Sequence, residues 1–176
     1  MQRNPRPFLI GGSLGAVLTA PAMAAAAAPT TMDVTVTIPQ LKVAEYHRPY
    51  VAIWVEKAGA PAKTVAVWYD HDMKENEGTK WLREVRQWWR ASGRSMKFPA
   101  SGITGATRAP GAQKISFSRA QLGATAPGEY TLVIEASREV GGRELLRIPF
   151  TWPAKAGAGG RAAGKTELGA VTVAFR

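Results

Sequence analysis

Between Met32 and Phe175 the chain is cut into short apolar runs by proline and glycine, and most of these runs alternate with a period of two. Met32, Val34, Val36 and Ile38 alternate with Asp33, Thr35 and Thr37, and Pro39 ends the run. Tyr130, Leu132 and Ile134 alternate with Thr131, Val133 and Glu135 after a Pro127-Gly128 turn, and Leu146, Ile148, Phe150 and Trp152 share one face of the return run. Val171, Val173 and Phe175 repeat the pattern at the end. Successive side chains of a strand point to opposite faces, so each run offers one face to a core and one to water. Tyr50–Val55 is different: it is apolar on both faces, which suits a central strand, and it returns through Ala58–Pro61 into Thr64–Tyr69 as a hairpin. Lys114–Ser118 predicts a further short strand, Gly141-Gly142 a two-residue hairpin turn, and Lys155–Lys165 a glycine-alanine loop. Short strands punctuated in this way predict an all-β antiparallel sandwich of immunoglobulin or fibronectin type III character, one domain over residues 32–176. The chain has no cysteine, which excludes disulfides, thiolate metal sites and iron–sulfur clusters, so packing alone must hold such a sandwich together.

One stretch, residues 79–112, breaks the β pattern. Asp70–Gly78 reads as a polar loop, after which Thr79 is placed to cap a helix that Gly93 stops. Trp81, Leu82, Val85, Trp88 and Trp89 recur at helical spacing, with Lys80, Arg83, Arg86 and Arg90 on the opposite face. Spacing alone allows two readings: tryptophans buried on the sandwich beneath a solvated basic face, or a basic face that holds a phosphate, arginine by its planar fork and lysine as a point charge. The connection that follows, Ser92–Ala112, has no periodicity, and its centre, Ser101-Gly102-Ile103-Thr104-Gly105-Ala106-Thr107, carries one bulky side chain. Connections longer than about 12–15 residues in a compact domain are functional or disordered.

The formal charge is +10, and seven basic residues against the single acid Glu84 lie between Lys80 and Arg108. A cationic excess of this kind ordinarily points to nucleic acid. The first 24 residues redirect that reading. Arg3 and Arg6 precede an apolar run from Phe8 to Thr19, Pro21 breaks it, and Ala22-Met23-Ala24 has the small-x-small form of a cleavage site. The run is short for a permanent span, which favours a cleaved secretory signal over an uncleaved anchor. Asn4 and Pro5 separate the two arginines, so the expected route is Sec and not twin-arginine. Residues 25–31 read as a flexible lead-in. An exported chain meets little nucleic acid, so its basicity suits an anionic cofactor, an acidic partner or an anionic envelope surface.

His47 and His71 are the two histidines, the latter between Asp70 and Asp72. Metal binding would need them to converge with further ligands, and a turn with solvated charges is the expected reading. Neither lies in a nucleophile-elbow or zinc-protease context. No catalytic residue is assigned, and these residues leave open whether the chain is an enzyme.

Ser101-x-x-Thr104-Gly105-Ala106-Thr107 resembles the motif at which periplasmic FAD:protein FMN transferases attach FMN. Around it Tyr50–Glu56, Lys63–Asp70, Lys80–Arg90 and Pro127–Leu132 follow in the order seen in the domain-of-unknown-function 2271 family (DUF2271) of periplasmic proteins, which the chain resembles from about Met32 to Arg176. The resemblance implies FMN joined by a phosphoester to Thr107. It implies Arg90, Arg94, Lys97 and Arg108 as candidates for phosphate and flavin contact, and Trp88 or Trp89 for stacking. It also implies an electron-transfer role more than that of a stand-alone enzyme, and two partners, the transferase and a membrane redox protein with peptidase-propeptide-like domains. The alternative is a non-enzymatic module that binds a partner protein or an anionic envelope ligand through the basic helix.

Overall fold

A computed structural model describes Met1 and residues 29–176; the signal sequence and most of the lead-in expected at residues 1–31 lie outside the described residues. Among the described residues nine strands form two sheets. β5 (Gly111–Ser118), β1 (Thr31–Ile38), β9 (Ala170–Phe175) and β8 (Gly159–Ala163) make the first, in that order, and all of its pairs are antiparallel. The second runs β4 (Thr104–Gly105), β3 (Lys63–Trp68), β2 (Tyr50–Glu56), β6 (Gly128–Ser137), β7 (Arg143–Trp152), with β3 and β4 its one parallel pair. The expected all-β sandwich is therefore the observed fold. Its core is built from the alternating sets read in the sequence: Met32, Val34, Val36 and Ile38 from β1, Val171, Val173 and Phe175 from β9, Tyr130, Leu132 and Ile134 from β6, and Ile148, Phe150 and Trp152 from β7.

β2 is buried on both sides, as its composition predicts, but the second side does not face the other sheet. Val51, Ile53 and Val55 enter the sandwich core, while Ala52 and Trp54 join Val67, Tyr69 and Val133 on the outer face of the second sheet. The insertion covers that face with Leu82, Val85 and Trp88. The molecule is thus three layers over this region, sheet on sheet with a helical cover.

That cover is not the single helix expected from Thr79 to Gly93. Residues Lys74–Glu84 form 3-10 turns, the chain breaks at Val85 (φ −80°, ψ 72°), and α1 spans only Arg86–Ala91. Thr79 donates its hydroxyl to the Asn76 carbonyl instead of capping a helix. The break has an electrostatic cause on the neighbouring strand. Glu135 of β6, 0 % exposed, accepts the Gln87 N–H at 3.1 Å and the Trp88 N–H at 2.8 Å, so a buried carboxylate caps α1 from outside its own segment. Arg143 of β7 closes the network with a 2.7 Å contact to the same carboxylate. A six-residue helix is far below the ~12–15 residues at which isolated helices become marginal, so this cap and the burial of Trp88 hold it. Gly93 is needed for space and not as a helix stop: a Cβ there would stand 2.9 Å from the Trp88 ring.

Two further expectations change, and one element is new. Lys155–Lys165 is not all loop, because β8 pairs along β9; Gly159 and Gly160 lie so close to the Val173 carbonyl and the Ile148 side chain that a Cβ would stand 2.0 Å and 2.6 Å away. The β6–β7 link is five residues, 138–142, and its left-handed residue is Val140 (φ 50°) instead of either glycine. A one-turn helix, α2 (Arg119–Leu122), follows β5, opened by a capping box between Ser118 and Gln121 and closed by Gly123 in the left-handed region at φ 66°.

Replacing Glu135 by alanine strands two helix N–H groups in a dry site and frees Arg143. The expected cost is on the order of 1–3 kcal/mol, read as a lower urea midpoint at unchanged slope, with Glu135→Gln losing less.

Candidate functional site

The small-residue segment read as a free loop is tied down at its centre. Ile103 and Thr104 donate their N–H groups to the Ala100 carbonyl, and the Ala100 N–H returns to the Thr104 hydroxyl at 2.8 Å, closing a tight turn with Ser101 and Gly102 exposed at its tip. Gly102 takes φ 71° there. The chain then leaves the turn as β4, with the Val67 N–H donating to Ile103 and the Tyr69 N–H to Gly105. Gly105 rests on the Trp68 ring, where a Cβ would meet Cδ1 at 3.2 Å, and Arg108 lays its guanidinium over the same ring at 5.3 Å. Packing against Trp68 therefore demands a small residue at 105 independently of any modifying enzyme.

Two residues beyond β4, Thr107 is 9 % exposed and donates its hydroxyl to Asp70 Oδ1 at 2.9 Å. Asp70 comes just after β3, so the contact prolongs the β3–β4 pairing by a side-chain bond. The hydroxyl is not enclosed in the apolar core. Asp70 and Thr107 both line a cleft of ≈ 940 Å³ between the 3-10 turns of the insertion and the β6–β7 link. Tyr46, His47 and Arg48 close one side; Met73, Trp81 and Arg86 stand on the insertion, Arg138 to Gly142 on the link and Arg143 at the start of β7.

The cleft walls are fixed by close packing. Gly78 of the 3-10 segment lies against the Asp70 backbone, where a Cβ would stand 2.1 Å from the carbonyl oxygen and 3.3 Å from the Tyr50 hydroxyl. Tyr50 is pushed up to about 12, chiefly by burial and secondarily by the Asp70 carboxylate, so its phenol stays a neutral donor through the physiological range. On the opposite wall Arg138 and Glu167 form a buried ion pair at 2.9 Å, and Glu167 also accepts the Gly142 N–H at 2.8 Å, which sets the shape of the β6–β7 link. Arg138 also lies over the Tyr46 ring at 6.0 Å.

Of the residues that the sequence assigns to the flavin, Thr107 alone lines this cleft; of the basic helix face, Arg86 reaches it as well. Thr104 and Gly105 position it from β4, and Ser101, Ala106 and Arg108 are accessible beside it. Trp88 is corrected: it is 0 % exposed, its Nε1 donates to the Thr64 hydroxyl at 2.9 Å, and Trp89 and Phe98 pack edge-on against its ring, so neither face is free to stack on a ligand. Trp89 is half-buried and lines a separate shallow depression with Arg83, Glu84, Arg86 and Arg90, while Arg94 and Lys97 are exposed outside the cleft. The aromatic residue of the insertion that does face the cleft is Trp81, 46 % exposed. It belongs to the same stripe as Trp88 in a straight helix, and only the break at Val85 separates them. His71 pairs with its neighbour Asp72 at 2.8 Å, and His47 with Glu45 at 2.8 Å and Glu139 at 3.6 Å.

A two-sheet sandwich with a helical cover and a cleft at the edge of its second sheet define an all-β scaffold with the Thr107 hydroxyl on the cleft wall. The chain belongs to the family described as predicted periplasmic protein (DUF2271), whose model matches residues 31–170. Comparison with curated proteins and with solved structures finds no match.

Gly78→Ala is expected to unseat the 3-10 segment from Asp70, because the obstructing atom is backbone and cannot swing aside. The check is faster amide hydrogen exchange over residues 70–85 with little change in the sandwich core. Tyr50 also makes stability pH-dependent. Its folded value lies above the ordinary 10.0, so the native state holds the proton while the unfolded state releases it. That contribution is whole below pH 10 and is lost as pH rises toward 12; Tyr50→Phe is expected to flatten the alkaline limb of a thermal-stability profile.

Proposed function

We propose that this chain is an extracytoplasmic electron carrier that holds FMN as a phosphoester on Thr107, attached by a flavin transferase after export through a cleaved Sec signal. The observation that carries the reading is the placement of Thr107: a hydroxyl at the end of a sheet-edge segment, on the wall of a cleft large enough for a dinucleotide fragment, behind an accessible stretch that an enzyme can read at Ser101 and Ala106. When bound, FMN supplies one- and two-electron chemistry that no side chain of the protein offers.

The protein's own residues present and then release the acceptor. Thr107 Oγ1 is held by Asp70, and β4 by two backbone hydrogen bonds to β3. At a net ~1 kcal/mol each, freeing all three costs about 2–4 kcal/mol. An opening of that size is populated at roughly one part in 30 to one part in 10³, which a transferase can draw on, while the sandwich core stays closed. Arg108, adjacent to the acceptor, is the cation of the motif nearest in sequence to the phosphate, and a membrane redox protein is the partner the role requires.

A second reading is favoured by one observation, the exposure of Arg83, Arg86, Arg90 and Arg94 on the insertion's outer side. In it the basic surface docks an acidic partner or an anionic envelope ligand and Thr107 stays unmodified.

Co-expression with a flavin transferase separates the two. The first reading expects in-gel flavin fluorescence and a mass gain of one FMN less one water, both abolished by Thr107→Ala and retained by Thr107→Ser. A wild-type chain that stays unlabelled overturns it. The second expects salt-sensitive association with anionic vesicles that survives Thr107→Ala and weakens on charge reversal at Arg83, Arg86 and Arg90.

A further inference from the structure

The large apolar side chains that the fold leaves exposed are not scattered. Among the described residues they include Val43, Met73, Trp81 and Val140, and three of these, Met73, Trp81 and Val140, stand on the cleft that Thr107 lines. Met73 and Trp81 come from the insertion and Val140 from the tip of the β6–β7 link, 80 % exposed and held at a positive φ that valine rarely adopts. Apolar groups converging from separate elements on one concavity mark a ligand surface more than they mark chance exposure.

The charges of the same cleft say what kind of ligand. Arg48, Arg86, Arg138 and Arg143 are matched by Asp70, Glu77, Glu84 and Glu139, four against four. Most of these charges already have partners: Arg86 lies 3.4 Å from Glu84, Arg138 and Arg143 are paired with Glu167 and Glu135, and Glu77 with Lys80. Arg48 has no carboxylate partner among the described residues. A cavity so balanced has no net field to hold a polyanion. It suits a planar, uncharged heteroaromatic ring with one apolar edge and one edge of hydrogen-bonding carbonyls and N–H groups. Trp81 offers such a ring an aromatic face, Met73 and Val140 cover an apolar edge, and Arg48 and the Tyr50 phenol have donors for carbonyl oxygens.

We propose that the isoalloxazine ring of the flavin carried on Thr107 is housed in this cleft, against Trp81 and between Met73 and Val140, and not on the Trp88–Arg90–Arg94 side of the insertion. The inference rests on the flavinylation proposed above and assigns its ring a site. A ring so placed is shielded from water on the cleft side and open at the rim, which lets electrons pass to a docked partner without the ring leaving its pocket.

The test uses the full-length chain labelled by co-expressed transferase, with the labelled fraction set by intact mass. Tryptophan beside a flavin quenches its emission by electron transfer, and phenylalanine does not. Wild-type emission is expected to be several-fold below that of free FMN, and iodide at fixed ionic strength is expected to quench it several-fold less efficiently than it quenches free FMN. Trp81→Phe should raise the emission at unchanged labelling. Met73→Ser, an uncharged truncation at an exposed rim position, should raise iodide access, and Trp89→Phe, outside the cleft, should do neither. Iodide access equal to that of free FMN in the labelled wild type overturns the cleft assignment while leaving flavinylation standing. So does a response to Trp89→Phe with none to Trp81→Phe. Absence of label on the wild type removes both.

Discussion

The second sheet has no wet face over β2. Ala52, Trp54, Val67, Tyr69 and Val133 point away from the sandwich core and would expose a large apolar surface if nothing lay on them. A two-layer fold cannot satisfy such a sheet, so the chain supplies a third layer from the residues between β3 and β5. Everything distinctive about the molecule follows from how that layer is fastened: where its helix breaks, which tryptophan is buried, and where the layer stops and a cleft begins.

The fastening is both apolar and electrostatic. Leu82, Val85 and Trp88 fill the outer face, and Glu135 reaches up from β6 to hold the first N–H groups of α1. A carboxylate this deeply buried is tolerable because it is satisfied three ways, by two amides and Arg143. The same region then returns to the sheet edge as β4, which orders the turn at Ser101–Gly102 and leaves Thr107 beside Asp70. Scaffold and site are therefore one piece of chain: the segment that shields the outer face also carries the hydroxyl to the cleft.

Much of this was legible from residue order. The alternating sets of β1, β6, β7 and β9, the hairpin of β2 and β3 and the double-sided apolarity of β2 are properties of local pattern, and strand side chains obey a strict period. What pattern could not show was contact. A stripe of Trp81, Leu82, Val85, Trp88 and Trp89 reads as one helix until Glu135, some fifty residues on, caps its middle; no signal near the stripe announces that partner. The glycines of Lys155–Lys165 read as flexibility, whereas Gly159 and Gly160 serve close approach to Val173 and Ile148. Gly141 and Gly142 likewise looked like turn formers, yet they make room for Arg138 and Glu167, and Val140 takes the strained conformation. α2 was within reach, since Ser118 and Gln121 have the spacing of a capping box.

By itself, then, the amino-acid order determined the sandwich, its core residues and the segment that departs from it, because burial of alternating side chains is decided within a strand. It also marked Thr107 as the last hydroxyl of a stretch that resembles a flavin-attachment motif. Only the tertiary structure decided which residues share a cleft with that hydroxyl: Asp70, Trp81 and the β6–β7 link in place of Trp88, Arg90 and Arg94. The reason is that a cleft is a relation between separated segments, set by a buried carboxylate and a few close backbone approaches, and no local period encodes it.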